Sequence, residues 1–326
     1  MPDLSVRYMG MDLRNPIIVS SSGLTERPDK VKRCADAGAG AVVLKSLFEE
    51  QIIAKTADLE AASGSFHTEA ADYLGVMTSE MNLAEYLDKV EKAKKSVDIP
   101  VIASVNCNAP GSWFDFAKRV ESAGADALEL NTFIFQYDTH TSSADIEKRY
   151  VDIVRGVKEH VSIPVSIKIG DAFTSLAYLV DQLAAHGAAA VVLFNRYYRI
   201  NMDIETFSLR PDKVFSTPDE ITHSLRWISV LAGRVNCDLA ATTGIHDGKA
   251  VIKQIMAGAA ATQVCSVLYQ KGVDYIGEML AEIESWLSAH DFAGLGKVQG
   301  LMSQKHSDSP ESYARFQFLR AYDGFA

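Results

Sequence analysis

Four stretches of the chain repeat one design: AGAGAVVLKS (37–46), AGADALELN (123–131), HGAAAVVLFN (186–195) and AGAAATQVCS (257–266). In each, a glycine ends a helix, because it enters the left-handed cap without a Cβ penalty. Small residues follow, then a short apolar run that reads as a buried strand. A polar or reactive residue closes each unit. A second set falls between them: NPIIVSSSG (15–23), IPVIASVNC (99–107), IPVSIKIG (163–170) and VNCDLAATTG (235–244). Two of these open on Ile-Pro, and proline is tolerated at a strand's first residue.

Interleaving the two sets predicts eight strands starting near residues 16, 41, 100, 126, 164, 189, 236 and 261. Helical stretches over 28–38, 82–96, 112–123, 145–160, 174–187, 217–233, 248–258 and 273–290 separate them. Apolar strands alternating with amphipathic helices imply a parallel sheet covered on its outer face. Eight such units close into an α/β (β/α)₈ TIM barrel. A doubly wound open sheet is the rival, and the count of eight disfavours it. LSVRYMGMDL (4–13) alternates around Gly10 and reads as a β-hairpin ahead of the first strand, plugging the barrel floor. The polar tail after Gly294 reads as helical, broken at SQKHSDSPES. No composition shift marks a boundary, so one domain is expected across 1–326. The longest loops are expected at 46–80, 132–144 and 196–216, on one face of the barrel.

Composition narrows the setting. The net charge of −10 lacks the basic footprint of a nucleic-acid binder. Cys34, Cys107, Cys237 and Cys265 form no zinc pattern, so no metal is expected, and such sparse use suits a reducing cytoplasm. The first residues resemble neither a signal nor a transit peptide. No apolar run is long enough to cross a membrane.

Active sites of such barrels lie at the C-terminal ends of the strands. The closing residues are Ser21-Ser22-Gly23, Lys45-Ser46, Asn106, Asn131, Lys168, Asn195, Thr243-Gly244 and Cys265-Ser266. Two lysines and three amides thus converge on one rim. A buried lysine is costly unless paired, and an amide offers a donor and an acceptor to a planar ligand. The structural alternatives are that Asn106 caps a turn, that Lys168 pairs with Glu129, and that Lys45 snorkels to solvent. Gly244 and Cys265-Ser266 follow strands seven and eight, where barrels commonly build a phosphate site.

The ordered set of NPIIVSSSG, VVLKS, ADALELN, IPVSIKI, Asn195 and TGIHDGKAVIKQIMAGAAATQVCS resembles the dihydroorotate dehydrogenases, FMN-containing (β/α)₈ barrels, over nearly the whole chain. The resemblance implies that Ser21, Ser22 and Gly23 pass along the flavin ring. Lys45 and Ser46 contact the flavin, with Lys45 also facing the substrate. Asn131 and Asn195 grip flavin or substrate, Lys168 stabilises negative charge on the reduced ring, and Thr243, Gly244, Cys265 and Ser266 hold the phosphate. It further implies oxidation of dihydroorotate to orotate in pyrimidine biosynthesis, a soluble acceptor or electron-transfer partner, and a homodimer. No hydrophobic N-terminal helix pair is present, which disfavours a membrane quinone.

The chain departs from the family on the substrate side. After Glu-Leu-Asn the family carries a Ser-Cys-Pro-Asn type run with the proton-removing cysteine, and the same register here is Thr132-Phe133-Ile134-Phe135-Gln136. Ile134 occupies the base position. Tyr137, Asp138, His140, His67, Tyr197 and Tyr198 are the candidate replacements. The family's Asn-x-Gly-x-x-Asn segment is also missing, and Thr243 stands where a second phosphate-loop glycine is expected. Three alternatives stay open: an FMN barrel reducing another activated C=C bond, a flavin-free phosphate-binding lyase or aldolase using Lys168 or Lys45 as a Schiff-base amine, and an FMN-binding protein without catalysis.

Overall fold

The structure, a computed structural model, describes residues 1–48, 68–106, 113–197 and 200–313, with the backbone alone at 68–81 and 113. An antiparallel hairpin of β1 (Val6–Tyr8) and β2 (Met11–Leu13) opens the chain. There follow β3 (Ile17–Val19), β4 (Ala41–Val43), its short continuation β5 (Leu47–Phe48), β6 (Val101–Asn106), β7 (Ala127–Asn131), β8 (Val165–Ile169) and β9 (Ala190–Leu193). A separate hairpin, β10 (Ile200–Asp203) with β11 (Ser208–Pro211), precedes β12 (Asp238–Thr242) and β13 (Ala261–Val264). β3 pairs with both β4 and β13, and β4 pairs with β6. The parallel sheet therefore closes as β3-β4-β6-β7-β8-β9-β12-β13, the expected eight-stranded barrel.

The outer layer holds α1 (Pro28–Asp36), α2 (Thr68–Ser96), α3 (Trp113–Ser122), α4 (Ser143–Lys158), α5 (Leu176–Ala185), α6 (Ile221–Leu231), α7 (Gly248–Ala257), α8 (Ser266–Lys271) and α9 (Tyr275–Ala289). Local chemistry sets their ends. Ser142 and Asp145 form a reciprocal capping box at the start of α4. The Asp247 side chain accepts from the Ala250 N–H at 2.7 Å at the start of α7, and Gly258 ends that helix at φ 118°.

The barrel interior changes character along its axis. At the floor the inward residues Ala41, Ala127, Ala190, Ala240 and Ala261 are small. The room they leave is filled by Tyr8, Met9 and Leu13, so the N-terminal hairpin plugs the floor as expected. The Met9 N–H donates to Asp238 Oδ2 at 2.7 Å and fixes that plug to the start of β12. Toward the C-terminal ends the interior turns polar: Ser20, Ser46, Ser104, Glu129, Ser166, Lys168, Thr242 and Gln263 are all buried. Buried polar groups persist where they are hydrogen-bonded, so this layer is built for something other than packing.

Three expectations are corrected. Part of the loop expected over 46–80 is helix, because α2 begins at Thr68. Its first turns combine good helix formers with a weak apolar period, so propensity wins where pattern is silent. The 196–216 loop folds back as β10–β11. The tail just after Gly294 forms two 3₁₀ turns, Leu295–Lys297 and Gln304–His306, before helix begins at 311, and 314–326 lie outside the described residues. Leu295 and Val298 are fully buried, which ties the tail's start to the core.

Candidate active site

The register of β6, β7 and β8 builds the polar layer in two tiers. Ser104 lies opposite Glu129, and Glu129 opposite Ser166. One step above, Asn106 lies opposite Asn131, and Asn131 opposite Lys168. Successive inward residues are two apart along a strand, so each strand contributes one group to each tier.

Lys168 is the centre of the lower network. Its ammonium donates to Ser20 Oγ and to Gln263 Oε1, each at 3.0 Å, and is 7% exposed. Gln263 Nε2 in turn donates to Glu129 Oε2. Lys168 therefore reaches Glu129 through an amide, and the direct ion pair considered from sequence does not form. Burial holds the Glu129 carboxyl above the usual carboxylate range, against the pull of Lys168 and Gln263. Its other oxygen, Oε1, is buried without a hydrogen-bond partner.

Beside this network, Asn195 Nδ2 donates to Asn131 Oδ1 at 2.5 Å, so the amides closing β7 and β9 share one site. Asn106 Oδ1 is buried without a partner. On the opposite wall a hydroxyl chain joins three strands. Ser21 Oγ lies 3.0 Å from Ser46 Oγ, which lies 2.7 Å from Ser104 Oγ. Ser22 caps the 3₁₀ turn Gly23–Thr25. A Cβ on Gly23 would sit 2.7 Å from the Tyr269 hydroxyl, so a side chain there would push the tyrosine tip aside.

Lys45 is not at the rim. Val43 pairs with Ile102 and Leu47 with Val105, so four steps on one strand face three on the other. The extra residue is a bulge. It reverses the side-chain alternation, sending Ser46 inward and Lys45 outward. Lys45 Nζ lies 3.3 Å from Glu26 Oε2, with 44% of its side chain exposed. Period-two counting from Val43 would have pointed the lysine into the barrel.

Thr243-Gly244 and Cys265-Ser266 follow the neighbouring strands β12 and β13. Ser266 Oγ accepts from the Ser216 N–H at 3.0 Å, and Ser216 Oγ lies 3.0 Å from His246 Nε2. The segment after β11 thus straps across the start of α8. Phe215 stacks on Tyr269 with centroids 5.7 Å apart. Gly244 has φ +76°, and a Cβ there would lie 2.1 Å from the Ile221 backbone nitrogen. Thr243 shares the left-handed backbone at φ +73°, a rare state for a β-branched residue. Cys265 is mostly buried, and burial raises its thiol pKa, so it stays protonated.

Among the base candidates, Tyr137, Asp138 and His140 are exposed. Asp138 accepts from the His140 N–H at 2.9 Å and serves the turn. His67 and Tyr198 lie outside the described residues. Of the described candidates, Tyr197 alone turns inward. Its hydroxyl is buried, its ring lies against Phe133 at a tilt of 31° with centroids 3.7 Å apart, and burial pushes its phenol well above the ordinary range. Tyr197 lines a cavity of about 410 Å³ with Asn195, Asp171, Thr242 and His223. Ile134 is held by the Tyr150 hydroxyl, which lies 3.1 Å from its N–H, and brings no proton chemistry.

Sequence reasoning missed Gln263, Ser20, Ser104, Ser216 and His246. A signal existed for Gln263: it is the lone amide in an apolar strand, two residues before Cys265. Ser216 had none, because a chain reversal of more than a dozen residues brings it back to α8.

A family model described as dihydroorotate dehydrogenase matches residues 3–287. The chain belongs to the dihydroorotate dehydrogenase family. It is 26% identical over 297 residues to the dihydroorotate dehydrogenase B (NAD(+)) catalytic subunit of Methanosarcina acetivorans, covering 90% of this chain and 94% of that one. The catalytic subunits of the same name from Thermoplasma acidophilum and Pyrococcus furiosus are each 25% identical, covering 92% and 91% of this chain and 99% and 98% of theirs. Membership makes this dihydroorotate dehydrogenase-like protein a flavin-dependent oxidoreductase acting on CH–CH groups and sets the lyase reading aside. Among the described residues, no group of side chains could hold a metal ion and no helix is long and apolar enough to cross a membrane.

The donor set fits a flavin. Lys168 uses two of its three N–H donors on Ser20 and Gln263. Asn106 Oδ1 is a buried acceptor in want of a donor, and the backbone around Gly244 leaves no room for a side chain.

Proposed function

We propose that this chain is an FMN-dependent oxidoreductase that oxidises dihydroorotate or a close planar analogue. The observation that carries this reading is the buried Lys168 ammonium, held by two neutral acceptors and free to face a ring that gains negative charge. FMN, when bound, supplies the hydride acceptor. The chain's own residues hold and orient. Lys168 and Asn106 would meet the ring's polar edge, Ser21, Ser22, Gly23 and Ser46 its flank, and Thr243, Gly244, Cys265 and Ser266 the phosphate. Asn131 and Asn195 would grip the substrate's carbonyl and N–H groups. Lys45 is left out of the set because it pairs with Glu26.

A second reading is favoured by one observation. Ile134 occupies the base position, while the buried Tyr197 phenol keeps its proton. A protonated tyrosine beside Asn195 is suited to give a proton, which is the need of C=C reduction. Anaerobic titration separates the two readings. Bleaching of the flavin by dihydroorotate supports the first. A flavin unmoved by dihydroorotate, yet reoxidised from its reduced form by an α,β-unsaturated carbonyl, supports the second. A flavin inert to both overturns the reading of the site.

The electron acceptor would be a soluble molecule or an electron-transfer partner, and the protein would work in the cytoplasm as a homodimer. What supports pairing is the apolar face of the β10–β11 hairpin, where Ile200, Met202 and Leu209 are each two-thirds exposed or more. Met202 lies opposite Leu209, so they form one patch.

A further inference from the structure

We infer that Gln263 is a positioning residue that insulates Lys168 from Glu129, so that the lysine's charge stays directed at the flavin edge; the inference rests on the FMN reading above.

Gln263 is 1% exposed and lies between two groups of opposite chemical sense. Its carbonyl Oε1 accepts from Lys168 at 3.0 Å and from Ser20 Oγ at 3.2 Å. Its Nε2 donates to Glu129. A primary amide is the uncharged side chain that offers an acceptor at one tip and two donors at the other. The orientation follows from the neighbours, because an ammonium has no lone pair to accept from Nε2.

Lys168 and Glu129 stand on the paired strands β8 and β7, and Gln263 reaches both from β13; without the amide they would be neighbours at low dielectric. An ion pair would form, and the net charge presented to the mouth would fall to zero. The amide prevents this by occupying both partners. Glu129, 1% exposed, receives one hydrogen bond from the described residues and leaves Oε1 unpaired. A carboxylate so poorly solvated is costly, and burial raises the Glu129 pKa. Burial thus favours the neutral acid at Glu129, against the pull of Lys168 and Gln263. Among the described residues, Ser20, Ser46, Ser104, Ser166 and Thr242 are the other buried polar side chains of this layer, and none of them carries a charge.

Two measurements on the flavin-loaded full chain test this. Gln263→Glu places a carboxylate against Lys168. It should retain flavin, judged by visible absorbance, and shift the reduction equilibrium toward oxidised flavin by about tenfold, a fall of ~30 mV for a two-electron couple. A loaded Gln263→Glu protein with an unchanged midpoint potential overturns the proposal. If that variant does not fold, Gln263→Ala serves: it removes the spacer, lets the ion pair form and should lower the potential in the same direction, and no shift there likewise overturns it. Infrared difference spectroscopy of wild type against Glu129→Gln should show loss of a protonated carboxyl C=O band; loss of a carboxylate band would overturn it. A wild-type protein that takes up no FMN would instead overturn the flavin reading, and is recognised before any variant is compared.

Discussion

At the residue scale, the site is a matter of which groups keep or lose a proton inside the barrel. Lys168→Ala removes the cation that faces the developing charge. Flavin reduction should slow by about 10²–10³-fold, the loss typical of one preorganised donor, read by anaerobic stopped flow. Lys45→Gln should leave flavin content unchanged and the stability from urea unfolding within about 0.5 kcal/mol of wild type, because a half-exposed pair with Glu26 contributes little. Lost flavin in that variant would contradict the bulge. These two lysines mark what the sequence could and could not give. Lys168 sits in an unbroken strand, so alternation placed it correctly. Lys45 follows a one-residue bulge that depends on how two strands pair, and nothing in VVLKS announces it. The aromatics of the 132–138 loop were visible, but their ladder from Tyr197 through Phe133 to Phe135 needs the third dimension.

At the scale of elements, the repeated helix–glycine–strand unit made the barrel legible. A buried parallel strand needs a continuous apolar run, and its crossover helix needs a cap, so both leave a local mark. The hairpin β10–β11 left none, because its apolar residues face out where a loop's would also lie. The strap that follows it brings pH dependence. Burial holds His246 below its ordinary value of 6.5, so the folded chain binds that proton less tightly than the unfolded one. The corresponding stability is full above 6.5 and drains as pH falls through the folded value. Thermal unfolding followed from pH 7.5 to 5.5 (~1 unit on either side of the free value) should show a falling midpoint in wild type. His246→Gln should flatten that part of the curve. Gly244 fixes the same region from the other side. Gly244→Ala would force a Cβ onto the Ile221 backbone at a positive φ, costing about 3 kcal/mol, measured by urea unfolding.

At the scale of the whole molecule, the polar tier of the barrel interior is open to chemistry because the N-terminal hairpin fills the floor beneath it. Small alanines below and polar side chains above are two halves of one design. The exposed hairpin face belongs to this scale too. If the chain pairs through this face as proposed, Met202→Lys with Leu209→Lys should lower the mass read by light scattering while leaving the flavin spectrum intact, since both side chains are exposed. The account depends most on the mouth receiving FMN with its phosphate near Ser266. Fluorescence titration of FMN against the purified chain measures this directly. One FMN bound per wild-type chain, with binding abolished by the negative charge of Ser266→Glu, is the predicted result. Absence of binding to the wild type, or equal binding by both proteins, would contradict it.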